Sequence, residues 1–310
     1  MKVYYTFDEI KRIPNLLNRL NEFDFSFSKE KKYLFVGCGS SYNIGFIMKE
    51  IMNKNGYKAK VLTGGHGMLF DNMPDSDVAI LITRTGESTE TVQAAKKLRQ
   101  KGIKTIGITS SKNSSITQQC EENITLDFTE EKSVVMTGSF VVILAMLLNG
   151  IEKNDYYNFS EKILEDSEKI IDQLALEKYE HFVFLGYDEN YGISKEGALK
   201  LQEMALQYVE YHEPLEYRHG PISTLTNKTL VILNSKGRKE EKELIDDIER
   251  LGGKVLVIST DGHIKIPDMK GFEAPLRLIP IQYLGYKKAV QMGYNPDSPK
   301  NLSKSVKLGG

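Results

Sequence analysis

The strongest constraint on this chain is that one pattern of strands and helices occurs in it twice. "KYLFVGCGSSYNIGFIMKEIM" (32–52) overlays "HFVFLGYDENYGISKEGALKLQEM" (181–204), with Val36 against Leu185. "VAILITRTGESTETVQAAKKLRQKGIKTIGITS" (78–110) overlays "LVILNSKGRKEEKELIDDIERLGGKVLVIST" (230–260). Leu233 lies 151 positions after Ile82 and Val257 lies 151 after Ile106, a shared spacing that reads as duplication. Short apolar runs alternate with helical stretches, which requires parallel strands joined by crossover helices. The fold class expected is therefore α/β, with two related lobes.

Strands are expected at "KYLFVGC", "AKVLT", "VAILIT" and "KTIGIT", and helices near 42–53 and 88–101, with a long apolar helix at 134–148. Residues 1–30 read as one amphipathic helix that kinks or restarts at Pro14, and 151–178 as a charged helical linker. The first lobe spans 31–150, the second 179–294, and 295–310 form a tail.

The copies differ chemically where the strands end. "TRTGESTE" in the first becomes "NSKGRKEE" in the second, and the hydroxyl groups vanish. A tight turn from a parallel strand into a helix presents backbone N–H groups and the positive end of a helix dipole, which suits an anion. Ser and Thr add short donors, and Gly86 allows close backbone approach. "GCGSSYN" (37–43) repeats the device after the first strand. Helix capping explains one or two of these hydroxyls, such as Ser88 and Thr89. It does not account for Thr83, Thr85, Ser88, Thr89 and Thr91 together with Ser40 and Ser41. A ligand with a single phosphate is the expectation, because no third glycine completes a dinucleotide loop and no G-x-x-x-x-G-K-[ST] occurs.

On the helix at 194–204, Glu196, Lys200 and Glu203 fall at i, i+4 and i+7, on one face. Such a trio is either a salt-bridged surface stripe or a site able to move a proton. His219 sits in the turn "EYRHGP", where a histidine is either a surface residue or an acid/base. His66, flanked by glycines in "GGHGM", is a second loop histidine.

These motifs resemble the sugar isomerase (SIS) family. "GCGSSYNIG" and "TRTGEST" are similar to its two phosphate loops. "SKEGALKLQEMALQYVEYHEPLEYRHGP" (194–221) and "NPDSPKNLSKSVKL" (295–308) resemble the signature and tail of the isomerase domain of glucosamine-6-phosphate synthase and of free-standing deaminase-like relatives. The resemblance implies two tandem SIS subdomains, each a parallel five-stranded sheet flanked by helices in three α/β/α layers. It implies phosphate contacts from Ser41, Thr83, Arg84, Thr85 and Ser88. It also implies that Glu203 moves the proton between C1 and C2, that Lys200 stands near the carbonyl, and that Glu196 is a further motif acid. His219 is implicated in ring opening from the neighbouring subunit of a homodimer, and Lys304 in closing over the sugar. Gly138 and Gln202 stand where relatives often carry lysine.

The activity implied is conversion of glucosamine 6-phosphate to fructose 6-phosphate and ammonia. The alternatives are a deglycase acting on phosphorylated fructosyl-amino acids, a simple phosphosugar isomerase, and a non-enzymatic phosphosugar-binding regulator. Only 30 residues precede the first lobe, so synthesis from glutamine by a fused glutaminase is not expected. No cofactor is expected, since enolisation runs on protein groups. The five scattered histidines lack metal-site spacing, so no metal is expected either. A balance of 41 basic and 42 acidic side chains argues against nucleic acid or membrane as a partner. Two cysteines, Cys38 and Cys120, and the absence of an apolar leader suggest a cytoplasmic protein.

Overall fold

The structure is a computed structural model that describes residues 4–308. The chain forms two compact units. One, here the first lobe, comprises Leu16–Asn154 and the tail from Ser303; the second comprises the chain up to Asn15 and Asp155–Leu302. The expected single N-terminal helix is two short ones, α1 (Tyr5–Lys11) and α2 (Ile13–Asn18), followed by a 3₁₀ turn at Arg19–Glu22. Of the two alternatives at Pro14, a kink or a restart, the chain takes the restart. Pro14 occupies the first turn of α2, where a missing N–H costs nothing.

The first lobe runs β1 (Lys32–Gly37), α3 (Ser40–Lys54), β2 (Lys58–Thr63), α4 (Gly64–Leu69), β3 (Val78–Ile82), α5 (Thr89–Gln100), β4 (Lys104–Thr109), α6 (Ser115–Gln119), β5 (Glu122–Thr125) and α7 (Gly138–Asn149). Its five strands are parallel in the order β2-β1-β3-β4-β5. The second lobe runs α8 (Tyr157–Ile171), β6 (His181–Leu185), α9 (Glu189–Ala205), β7 (Val209–His212), β8 (Thr229–Asn234), α10 (Lys239–Arg250), β9 (Lys254–Ser259), β10 (Ile264–Lys265) and α11 (Ala274–Gln291). Its strands are also parallel, in the order β10-β9-β8-β6-β7. Counted from the start of each lobe, the two orders are the same. The sequence duplication is a duplication of topology.

The strand register corrects one detail of the repeat. In the first lobe Leu81 pairs with Gly107, whereas in the second Leu233 pairs with Val257. The second copy is thus two residues shorter between its third and fourth strands, and the constant spacing of 151 does not hold. Both residues come out of one loop, which spans 83–88 between β3 and α5 but only 235–238 between β8 and α10. The hydroxyl-rich loop is longer as well as different in chemistry.

All five residues of β3 and all six of β8 are buried, as expected of parallel strands covered on both faces. Leu34, Val36, Ala79 and Leu81 pack with Ala94, Ala95 and Leu98 of α5. Val183, Leu185, Val231 and Leu233 pack likewise with Leu244 and Ile248 of α10. Each fully buried Leu or Ile contributes about 1.5–3 kcal/mol, so these layers fix the sheets. The linker expectation is revised in part. Helix α8 belongs to the second lobe and packs on α11. Among the described residues, no helix is long and apolar enough to cross a membrane.

The motif "NPDSPKN" has a structural task within the second lobe. Asp297 accepts the Tyr5 N–H (3.0 Å), the Thr6 N–H (2.7 Å) and the Thr6 hydroxyl (2.7 Å), capping α1 from a remote position in sequence. Capping matters because the first N–H groups of a helix have no intrahelical acceptor. Asp297→Ala is expected to destabilise the second lobe by about 1–2 kcal/mol, read as a lower urea midpoint for its unfolding.

Candidate active site

Strands β1 and β3 are neighbours and end together, since Val36 pairs with Leu81. Gly39, at φ 54°, turns the chain from β1 into α3, whose first residues Ser40 and Ser41 are buried. Beyond β3, the Gly86 N–H donates to the Thr83 carbonyl (3.0 Å), closing a turn over Thr83–Gly86. Gly86 sits at φ 72°, and a Cβ there would lie 2.0 Å from Ser114 Oγ. Only glycine fits. The Ile116 N–H donates to the Gly86 carbonyl, and the Ser110 N–H and Thr109 hydroxyl both donate to the Arg84 carbonyl. The Glu87 carboxylate accepts the Ser115 N–H and hydroxyl, each at 2.8 Å. The backbone bond from Ser115 chiefly holds the Glu87 carboxyl below its ordinary range.

The loop is therefore fixed by its neighbours and by its own Thr85 hydroxyl, which accepts the Glu87 N–H at 3.3 Å, but not every hydroxyl is used. Thr83 is 3% exposed and its Oγ1 has no hydrogen-bond partner. A buried hydroxyl without a partner is costly unless a ligand or water satisfies it. Capping does not use Ser88 either. It is the N-cap residue of α5, but its side chain makes no capping bond. Thr89 is engaged by the tail: its N–H donates to the Val306 carbonyl, and its hydroxyl accepts the Leu308 N–H, both at 3.1 Å. Ser41, Thr83, Thr85 and Ser88 thus share the carboxyl edge of one parallel sheet, beside the N-termini of α3 and α5.

Arg84 points elsewhere. Its Nη1 donates to Glu131 Oε2 and to the Val135 carbonyl, both at 3.0 Å, and its Nη2 donates to the Val134 carbonyl at 2.7 Å. These bonds also account for a difference in α7, which starts at Gly138 and not at 134. Residues 134 and 135 offer carbonyls to Arg84 instead of entering the helix. Glu131 accepts the Thr137 and Ser139 N–H groups (2.9 and 3.2 Å) and both of their hydroxyls, capping α7. Lys304 lies in this lobe, its ammonium donating to the Glu131 carbonyl at 2.7 Å. Glu131 was not singled out in the sequence. The available signal was an acid just ahead of a Thr-Gly-Ser helix start.

The corresponding place in the second lobe is filled from within. Asp188 takes the position of Gly39, with φ 56°, a backbone region that strains any residue with a side chain. The Lys236 ammonium lies 2.9 Å from both the Asp188 and the Glu189 carboxylates. An ion pair stands where the first lobe leaves a hydroxyl open.

In α9, Gly197 lets the helix lie against β6, because a Cβ there would come within 2.4 Å of Phe184. The Lys200 ammonium is wholly buried, 3.3 Å from Glu196 and in direct contact with Glu203. Burial alone would push Lys200 down. The two carboxylates outweigh it and hold the lysine above its ordinary value, hence cationic at neutral pH. The Glu196 and Lys200 side chains are 0% exposed, while that of Glu203 keeps 18%. The trio is no surface stripe, and Glu203 is its accessible member. Gln202, next in sequence, is exposed. His219 lies on an exposed turn, and His66 in α4 packs against Phe70.

Two outcomes are expected. Thr83→Val removes the unpartnered hydroxyl, so stability should hold or rise while affinity for a phosphorylated ligand falls about 10- to 100-fold by calorimetry. The Glu131 carboxyl is opposed by burial but is held below its ordinary 4.5 by Arg84 and by the Ser139 and Thr137 hydroxyls. A lowered folded pKa makes its stabilisation complete above the unfolded value and lost as pH falls through the folded one. Urea midpoints of the wild type should therefore drop on acidification below about pH 4.5, and drop less in Glu131→Gln.

The SIS domain family model matches residues 26–149 and 175–265. The glutamine–fructose-6-phosphate aminotransferase of Pyrococcus horikoshii is 26% identical over 332 aligned residues, covering 97% of this chain and 54% of that protein. The enzyme of the same name from Thermus thermophilus is 28% identical over 264 residues, covering 74% and 44%. The chain spans about half the length of the curated relatives it matches. Among solved structures, glucosamine-6-phosphate deaminase from Thermotoga maritima is 32% identical with a TM-score of 0.91, covering 98% of this chain and all of that one. Tagatose-6-phosphate ketose/aldose isomerase from Escherichia coli shares the fold at 19% identity, with a TM-score of 0.81 over 99% and 96% of the two chains. The duplicated parallel sheets, the hydroxyl loops at the edge of the first and the match over most of the chain place this protein in the SIS domain family.

Proposed function

We propose that this protein is a phosphosugar isomerase and deaminase that converts glucosamine 6-phosphate to fructose 6-phosphate and ammonia. The observation that supports this most is the charge arrangement on α9. A buried Lys200 lies between a sealed Glu196 and a partly accessible Glu203, whose carboxylates favour its cationic form. That is what an enolisation needs: a base that can reach the substrate, beside a positive charge for the oxygen that becomes negative.

In this reading Ser41, Thr83, Thr85 and Ser88 hold the 6-phosphate, and Arg84 anchors their loop. The ring opens when the O1 hydroxyl gives up its proton as O5 gains one, with His219 as the shuttle. His219 is exposed on its own subunit, which suits donation to a neighbouring copy in a homodimer. Glu203 then removes the C2 proton. The C–H electrons form the C1=C2 bond, and the negative charge gathers on O1, where Lys200 stabilises it. O1 is protonated, and Glu203 returns its proton to C1, which leaves C1 as CH₂OH and C2 as an iminium. Water adds at C2, ammonia leaves, and the ketone of fructose 6-phosphate remains. Lys304, with its ammonium at the Glu131 carbonyl, lies on the lobe that holds the phosphate.

The assay is ammonia release from glucosamine 6-phosphate with fructose 6-phosphate scored in parallel. Equimolar products are expected, and Glu203→Gln should lower kcat by about 10²-fold or more while leaving sugar-phosphate binding in place. Neither product from a protein that still binds the sugar phosphate would overturn the deaminase reading. A released amino acid from a phosphorylated fructosyl-amino acid would then identify a deglycase.

A further inference from the structure

We propose that Glu131, which does not itself touch the substrate, is a positioning residue that sets the phosphate loop and the tail lysine on one common base. The proposal rests on the reading of the Thr83–Ser88 loop as a phosphate site. Its grounds are the convergence of three segments remote in sequence. The carboxylate is 0% exposed and bonded to Arg84 from the loop after β3, and to the backbone and hydroxyls of Thr137 and Ser139 at the start of α7. The carbonyl of the same residue receives the Lys304 ammonium from the tail. Arg84 adds bonds to the carbonyls of Val134 and Val135, so the loop is held to the strip 131–139 at three residues.

Neutral capping would have sufficed for α7, as a serine or threonine satisfies such N–H groups without a buried charge. A buried carboxylate is instead costly, and only its pairing with Arg84 makes it tolerable. The consequence is geometric. Arg84 follows Thr83 directly, so the unpartnered hydroxyl of Thr83 cannot shift without straining a buried ion pair. The Lys304 ammonium takes its position from the backbone of the other partner. Glu131 thereby couples the placement of the loop that holds the phosphate to the placement of the tail.

The test uses the full chain, calorimetric binding of glucitol 6-phosphate (which has no carbonyl to isomerise) and steady-state kinetics. Glu131→Gln is expected to weaken glucitol 6-phosphate binding about tenfold and to raise KM more than it lowers kcat. Glu131→Asp should recover part of the loss, and Ser139→Ala, which removes one hydroxyl donor, should show a fraction of it. Lys304→Ala should cost less in the Glu131→Gln background than in the wild type, because the two act through one position. A folded Glu131→Gln protein with unchanged binding and an undiminished Lys304→Ala effect would overturn the proposal. If Glu131→Gln does not fold, unchanged binding in Ser139→Ala overturns it equally. Thr83→Val separates the two levels. Binding unaffected by Thr83→Val removes the phosphate-loop reading and this proposal with it, whereas binding weakened by Thr83→Val but not by the Glu131 variants removes this proposal alone.

Discussion

Everything functional in this fold depends on parallel strands being covered on both faces. A strand such as β3, buried along its whole length, has no side chain to offer solvent, so chemistry can be presented only where the strand ends. All strands of a parallel sheet end on the same edge, and each crossover helix brings unsatisfied N–H groups back to that edge. The order β2-β1-β3-β4-β5 then makes the loops after β1 and β3 neighbours. The hydroxyls of Ser41 and Thr83 are placed by that adjacency, and the core that covers the sheet keeps them there.

The two lobes show how one framework sustains opposite outcomes at this edge. The first lobe turns with Gly39 and spends six residues on its second loop, and it leaves Thr83 Oγ1 buried without a partner. The second turns through a strained Asp188, shortens the loop to four residues, and closes the space with Lys236 against Asp188 and Glu189. A hydroxyl edge that is open to an anion and a self-neutralised edge are two uses of the same backbone. In the second lobe the buried charge lies instead on the face of α9, where Lys200 is held between two carboxylates.

The buried charges call for a particular energetic reading. Removing two ions from water costs several kcal/mol apiece, and their mutual attraction roughly offsets this, so a buried pair adds little net stability. What such a pair contributes is definition. Arg84 with Glu131, and Lys200 with Glu196 and Glu203, allow few alternative arrangements, since each would strand a charge. Charges of this kind are found where geometry matters more than stability. Asp297 over α1 is different in kind: a half-exposed cap that ties the tail motif to the second lobe at modest gain.

The class of fold, the duplication, the principal strands within a residue or two, and the hydroxyl loop were all legible in the amino-acid sequence. These follow from local pattern: fully apolar runs, helical periodicity, and a change in side-chain chemistry between two copies. Short elements such as β5, β7 and β10 were not legible, because strands of two to four residues carry too little pattern and are defined by their neighbours. Nor was the true start of α7, since nothing in "SVVMTGSF" says that two carbonyls will be taken by an arginine some 50 residues earlier. The trio on α9 shows the division clearly. Spacing placed Glu196, Lys200 and Glu203 on one face, as any helix must. Only packing decided that Glu196 and Lys200 are sealed while Glu203 is not, because burial depends on which element covers a face, and that element lies far away in the chain.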